Sequence, residues 1–159
     1  MPDTEKTKEG KDRIFFEGKT GAADTVYAGI FRQAEDSIIV IDRALSVRTL
    51  ERINTAKPGI PVLIYSDNEP GKTQITRQEL REFFQRNPGR RLLIGTIAGK
   101  CRDRYIILDS GTPREKVYLL SAPLGAADGG PSCIIRMEDT GFVEGLIREL
   151  ETNAYLVLK

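Results

Sequence analysis

At 159 residues, with 40% hydrophobic and 30% charged side chains and a net charge of +1, the chain has the composition of one ordinary globular domain. No apolar run approaches the roughly 20 residues that cross a bilayer, so no membrane association is expected. Two cysteines, Cys101 and Cys133, and no histidine argue against a disulfide framework and leave no expectation of zinc, another metal or a cofactor. The opening MPDTEKTKEGKD lacks the apolar core of a signal peptide. It reads as a disordered charged tail over residues 1–12, followed by one domain over 13–159 in a reducing cytoplasm.

In chain order, Ile14-Phe15-Phe16 is a short strand candidate, and Asp24 is placed to cap a helix with Val26, Tyr27, Ile30, Phe31 and Ala34 at helical spacing. Ser37-Ile-Ile-Val-Ile41 is a β-branched run of the kind buried on both faces of a sheet. Ser46 opens a second helix with Val47, Leu50 and Ile53 inward, closed by Pro58-Gly59, and Pro61 to Tyr65 is the next strand. Thr76-x-x-Glu79 is a capping box ahead of Leu80, Phe83 and Phe84, and Asn87-Pro88-Gly89 ends that helix. Four strands follow, at 91–97, 104–108, 116–120 and 133–137, then a helix over 139–151 with Phe142, Leu146, Ile147 and Leu150 on one face. Alternating strands and helices, then a hairpin-like pair, predict an α/β sandwich with a mixed, mostly parallel sheet flanked by helices.

Charge is uneven along this frame. Residues 72–116 hold eleven Lys and Arg against five acids, a local +6 that leaves −5 for the rest, and such a face attracts anions. At its centre lies Arg102-Asp103-Arg104-Tyr-Ile-Ile-Leu-Asp109. Strand alternation places Arg102 and Arg104 on one face, with Cys101 and Asp103 on the other. Two guanidinium groups on one face suit bidentate phosphate binding. Arginine stays protonated, so neither side chain can attack phosphorus or cycle a proton. Asp109, at the strand end, is placed to orient a basic neighbour. Asp67-Asn68-Glu69 reads as a turn rather than a cation site, and the glycine-rich 125–130 stretch as a flexible loop.

Basic-x-basic-x4-Asp has the spacing of the His-x-Lys-x4-Asp signature of the phospholipase D superfamily. Around it, the chain resembles the single-motif phospholipase D-like domains of phage- and mobile-element-encoded bacterial proteins. Their His-Asp-Arg-Tyr/Phe-Ile-Ile-Asp strand is followed by Glu-Val-Tyr-His-x-Gly-Ala-Ser-Leu-Lys-Asp. The corresponding residues here run Glu115-Lys-Val-Tyr-Leu-Leu-Ser-Ala-Pro-Leu-Gly-Ala126. Phe15-Phe16-Glu-Gly, Ser37-Ile-Ile-Val-Ile-Asp42 and Pro58-Gly-Ile-Pro-Val-Leu-Ile-Tyr65 extend the resemblance over roughly residues 14–150. The departures are that Arg102 replaces the nucleophilic histidine, Ser121-Ala-Pro123 replaces Gly-Ala-Ser, and Gly125 replaces the lysine after it.

The resemblance implies a homodimer in which two copies of the motif meet, with Arg102 and Arg104 binding phosphate and Asp109 and Ser121 supporting them. Asp42, Asp103 and Asp109 are candidate counter-ions for cations gathered in that way. The leading expectation is a catalytically inactive domain that binds a phosphate-bearing ligand, most simply a nucleic acid backbone, in an arginine-lined cleft. The alternatives are a protein-interaction or homodimerisation module with its arginines neutralised internally, and a divergent phosphodiesterase or nuclease.

Overall fold

The computed structural model describes residues 13–16, 22–68, 74–126 and 132–156, with side chains for 22–68, 74–126 and 133–156. The expected tail, Glu69 and residues 127–130 of the glycine-rich stretch lie outside the described residues.

The chain forms β1 (Arg13–Phe16), α1 (Ala22–Phe31), β2 (Ile38–Ile41), α2 (Val47–Ile53), β3 (Val62–Tyr65), α3 (Arg77–Arg86), β4 (Leu92–Gly95), β5 (Arg104–Leu108), β6 (Lys116–Leu120), β7 (Ser132–Met137) and α4 (Val143–Glu151). The seven strands make one sheet in the order β1-β7-β6-β5-β2-β3-β4. Pairing is parallel for β2–β3 and β3–β4 and antiparallel elsewhere. All strands except β5 and β7 therefore point the same way, as expected of a mixed, mostly parallel sheet.

Period-two alternation sends side chains to two separate cores. Ile38, Val40, Val62, Ile64, Ile106, Leu108, Tyr118 and Leu120 face α1, α2 and α3. Ile39, Ile41, Tyr65, Tyr105, Ile107 and Val117 face α4, which contributes Val143 and Leu150. β2 is buried along its whole length, which explains its unbroken Ile-Ile-Val-Ile run. Truncating a fully buried residue of this sheet such as Ile106 costs about 2–5 kcal/mol.

Local signals set most element starts. Ser46 with Thr49, and Thr76 with Glu79, close reciprocal capping boxes on α2 and α3. Three expectations shift. α1 begins at Ala22, so Asp24 lies in its first turn rather than ahead of it, and its carboxylate serves another purpose. The strand expected over 91–97 is confined to Leu92–Gly95, because Thr96 donates to the Ala154 carbonyl and Ala98 takes a left-handed φ of 50°. α4 starts only at Val143, with no side-chain cap at Phe142. Among the described residues no helix is long and apolar enough to cross a membrane.

Candidate functional site

β2 and β6 end, and β5 begins, along one edge of the sheet, outside the carboxyl ends of the parallel-directed strands where α/β sheets gather ligands. Register does the placing. Ile41 pairs with Tyr105 and Arg104 with Leu120, so Asp42, one residue past β2, comes level with Arg104. Arg104 shares its face with Ile106 and Leu108, the side covered by α1 to α3. Its Nε–H donates to Asp42 Oδ1 at 3.3 Å, and its side chain is 26% exposed against 1% for Asp42. Among the described residues that is the one hydrogen-bonded contact of the Arg104 side chain, so its two terminal nitrogens are not spent on them.

Asp42 is held from three directions. Oδ1 also accepts the Ala44 N–H at 3.0 Å, and Oδ2 accepts the Leu124 N–H at 2.7 Å. Burial pushes its pKa up, and the two amides and Arg104 only partly oppose this, so the carboxyl sits above the ordinary aspartate value. Beside it, burial pushes the Tyr27 hydroxyl up to about 12, leaving it neutral.

The wall behind Asp42 is built by Arg52 of α2, 3% exposed. Its Nε–H donates to Asp24 Oδ1 at 2.8 Å, and Nη1 donates to the carbonyls of Leu124 at 2.6 Å and Ala126 at 3.1 Å. The guanidinium carbon lies 5.3 Å from the centre of the Tyr27 ring, within cation–π range. Gly125 lies between those two carbonyls, pressed against the start of α2. A Cβ there would overlap Ser46 Oγ and Thr49 Oγ1, so this backbone admits no lysine at that position unless α2 shifts. Ala44, Leu45, Ser46, Thr49, Pro123, Gly125 and Ala126 line a cavity of about 220 Å³ alongside.

The four motif residues of the sequence do not form one cluster. Arg102 precedes β5 and is exposed, with no hydrogen bond or ion pair to the described residues. Cys101 packs on the α4 face with Tyr105, opposite Arg104, as alternation requires. Asp103 accepts from the Tyr105 hydroxyl at 3.4 Å and meets neither arginine. Asp109 lies at the far end of β5, about 16 Å from Arg104 at the rise of an extended strand. Its carboxylate accepts the backbone N–H groups of Glu35, Asp36 and Ser37, at 2.6 Å in the shortest case. Burial would push its pKa up, but the Asp36, Ser37 and Glu35 amides and Arg114 outweigh it and hold the carboxyl below its ordinary value. Asp109 therefore orients neither Arg102 nor Arg104, and among the described residues its ion-pair partner is Arg114, at 3.9 Å. Ser121 accepts the Cys133 N–H at 2.8 Å, joining the end of β6 to β7.

Arg52, Tyr27 and Leu124 are the site residues that sequence reasoning missed. Asp42 is one of three candidate counter-ions in the sequence, and the register beside Arg104 is what selects it. The signal for Arg52 is slight: an arginine three residues after Thr49, next to the inward Ile53, on a helix too short for a clean polar face. Among the described residues no group of three or more Cys, Asp or Glu is gathered to hold a metal ion.

No protein-family model and no curated protein matches the chain. Solved structures do. NucT from Helicobacter pylori is similar at 16% identity and a TM-score of 0.58, over 91% of this chain and 98% of that one. Nuc from Salmonella typhimurium, a phospholipase D family member, is similar at 13% identity and a TM-score of 0.53, over 91% and 98%. The archaeal chromatin protein TrmBL2, described with a novel mode of DNA binding, is similar at 14% identity and a TM-score of 0.51, over 94% of this chain and 56% of that one. At such identities it is the fold that is shared: the chain has the phospholipase D-like fold.

Proposed function

We propose that this chain binds the phosphate backbone of a nucleic acid at the Arg104 edge of its sheet and does not hydrolyse it. The observation that carries the reading is Arg104 itself. Asp42 holds its Nε and leaves the terminal nitrogens uncommitted among the described residues. A guanidinium fixed in this way presents a planar pair of donors to an anionic oxygen at little entropic cost. Arg102, exposed just before the strand, adds a second charge at the mouth, and Arg43 follows Asp42 on the same edge. The chain has no histidine, and arginine has no proton to exchange near neutral pH, so the motif supplies grip without a nucleophile. The DNA binding named for TrmBL2 points the same way.

With one motif per chain, the working unit in this reading is a homodimer in the cytoplasm, bringing two such edges to one cleft. Sedimentation gives its size. Binding to labelled single- and double-stranded oligonucleotides, titrated with salt, tests the function. Affinity should fall steeply as salt rises and be weakened about ten- to a hundredfold by Arg104→Ala, with the oligonucleotide recovered intact. Salt-insensitive or absent binding overturns the reading, and cleavage that disappears with Arg104→Ala replaces it with a phosphodiesterase.

The Arg104–Asp42 ion pair favours a second reading, an interaction module whose arginines are neutralised internally. Against it, Arg102 is exposed and Arg104 partly so.

A further inference from the structure

We infer that Arg52 is a positioning residue for this anion site: it fixes the 124–126 backbone, which sets the Asp42 carboxylate, which aims Arg104. The inference rests on the proposed role of Arg104 and adds to it a residue some distance along the chain.

The connection is a sequence of direct bonds. Asp24 Oδ1 receives the Arg52 Nε–H, and Arg52 Nη1 holds the Leu124 and Ala126 carbonyls. The N–H of that same Leu124 donates to Asp42 Oδ2 at 2.7 Å, the shortest hydrogen bond Asp42 receives. With Oδ2 turned to the Leu124 N–H, Asp42 meets Arg104 through Oδ1, at Nε. Were Leu124 to withdraw, Oδ2 would be free to turn toward the Arg104 terminal nitrogens and compete with the incoming anion. The backbone has little slack to absorb a change, because Gly125 is already in contact with Ser46 and Thr49.

Chemistry explains the choice of arginine. One planar group donates in two directions, to a carboxylate on α1 and to two carbonyls, while its face lies over Tyr27. A lysine ammonium is a point donor on a flexible stem and cannot reproduce that fork. Arg52 touches no ligand in this arrangement. It acts through the loop.

The test uses the full chain as wild type, Arg52→Lys, Asp24→Asn and Arg104→Ala. Asp24 is 57% exposed, so its amide variant should fold even if the buried site tolerates lysine poorly. Three quantities are compared: urea unfolding, binding of a short labelled oligonucleotide with inorganic phosphate as competitor, and the NMR resonances of the Leu124 amide and the Arg104 Nε–H. Arg52→Lys should stay folded, weaken binding about two- to thirtyfold, and displace both resonances. Asp24→Asn should do the same to a smaller extent. A folded Arg52→Lys or Asp24→Asn whose two resonances coincide with wild type overturns the inference, as does displaced resonance with unchanged affinity. If wild type binds no oligonucleotide, the proposed function fails, and the resonances still decide whether Arg52 sets Arg104.

Discussion

β5 has two ends that the sequence motif treats as one unit and the fold treats oppositely. At its start, Arg104 meets one carboxylate through one nitrogen and remains partly open to solvent. At its finish, Asp109 is buried, adopts a left-handed φ of 54°, and spends its carboxylate on three successive backbone N–H groups of the α1–β2 turn. The contrast extends to two buried aspartates. Asp42 is a carboxylate whose burial outweighs its partners, and Asp109 is one whose partners outweigh its burial. Spacing along a strand thus does not make a site. The start of β5 leaves a guanidinium partly open to solvent, and its finish holds the chain together.

The largest expected effect breaks the comparison at its structural end. Asp109→Ala strands three N–H donors and should cost about 2–4 kcal/mol of unfolding free energy, measured in urea. Oligonucleotide affinity per folded molecule should not change. Arg104→Ala is the mirror case. It should weaken binding by about ten- to a hundredfold, the worth of a charged hydrogen bond or two, with a smaller loss of stability.

Acid titration sharpens the contrast. The Asp109 pKa is lowered on folding, so its contribution to stability is present above the unfolded value of about 3.9 and is lost as pH falls through the folded value. The Asp42 pKa is raised on folding, so its contribution is present below about 3.9 and is lost as pH rises through the folded value. The stability of wild type minus that of Asp109→Asn should therefore grow from acid to neutral pH. The difference from Asp42→Asn should shrink over the same range. Parallel slopes would contradict the assignment of opposite environments.

The smallest effect is at Arg102. With no bond to the described residues, Arg102→Ala should leave stability within about 0.5 kcal/mol of wild type. It should reduce the slope of log affinity against log salt by about one phosphate contact.

Much of the frame was legible in the sequence. The β-branched 38–41 run, the Ser46 cap, the Thr76–Glu79 capping box and the alternation of β5 each express a local preference that the fold keeps. What the sequence did not reveal depends on pairing between distant segments. Asp42 comes level with Arg104 only through the β2–β5 register, and Leu124 reaches Asp42 only because β6 ends beside β5. Asp24 read as a helix cap because a short acid ahead of an apolar periodicity usually is one, yet here it answers Arg52 across 28 positions. A linear motif groups Asp109 with the arginines because spacing alone cannot show that they lie at opposite ends of one strand.

The most direct measurement is an NMR titration of the isotopically labelled protein with a short oligonucleotide, following the Arg104 Nε–H and the backbone amides of Glu35, Asp36 and Ser37 together. Saturable, salt-sensitive displacement of the Arg104 resonance, with those three amides unmoved, is the predicted result. Displacement confined to the Asp109 end, or an Arg104 resonance that never responds, would contradict the account.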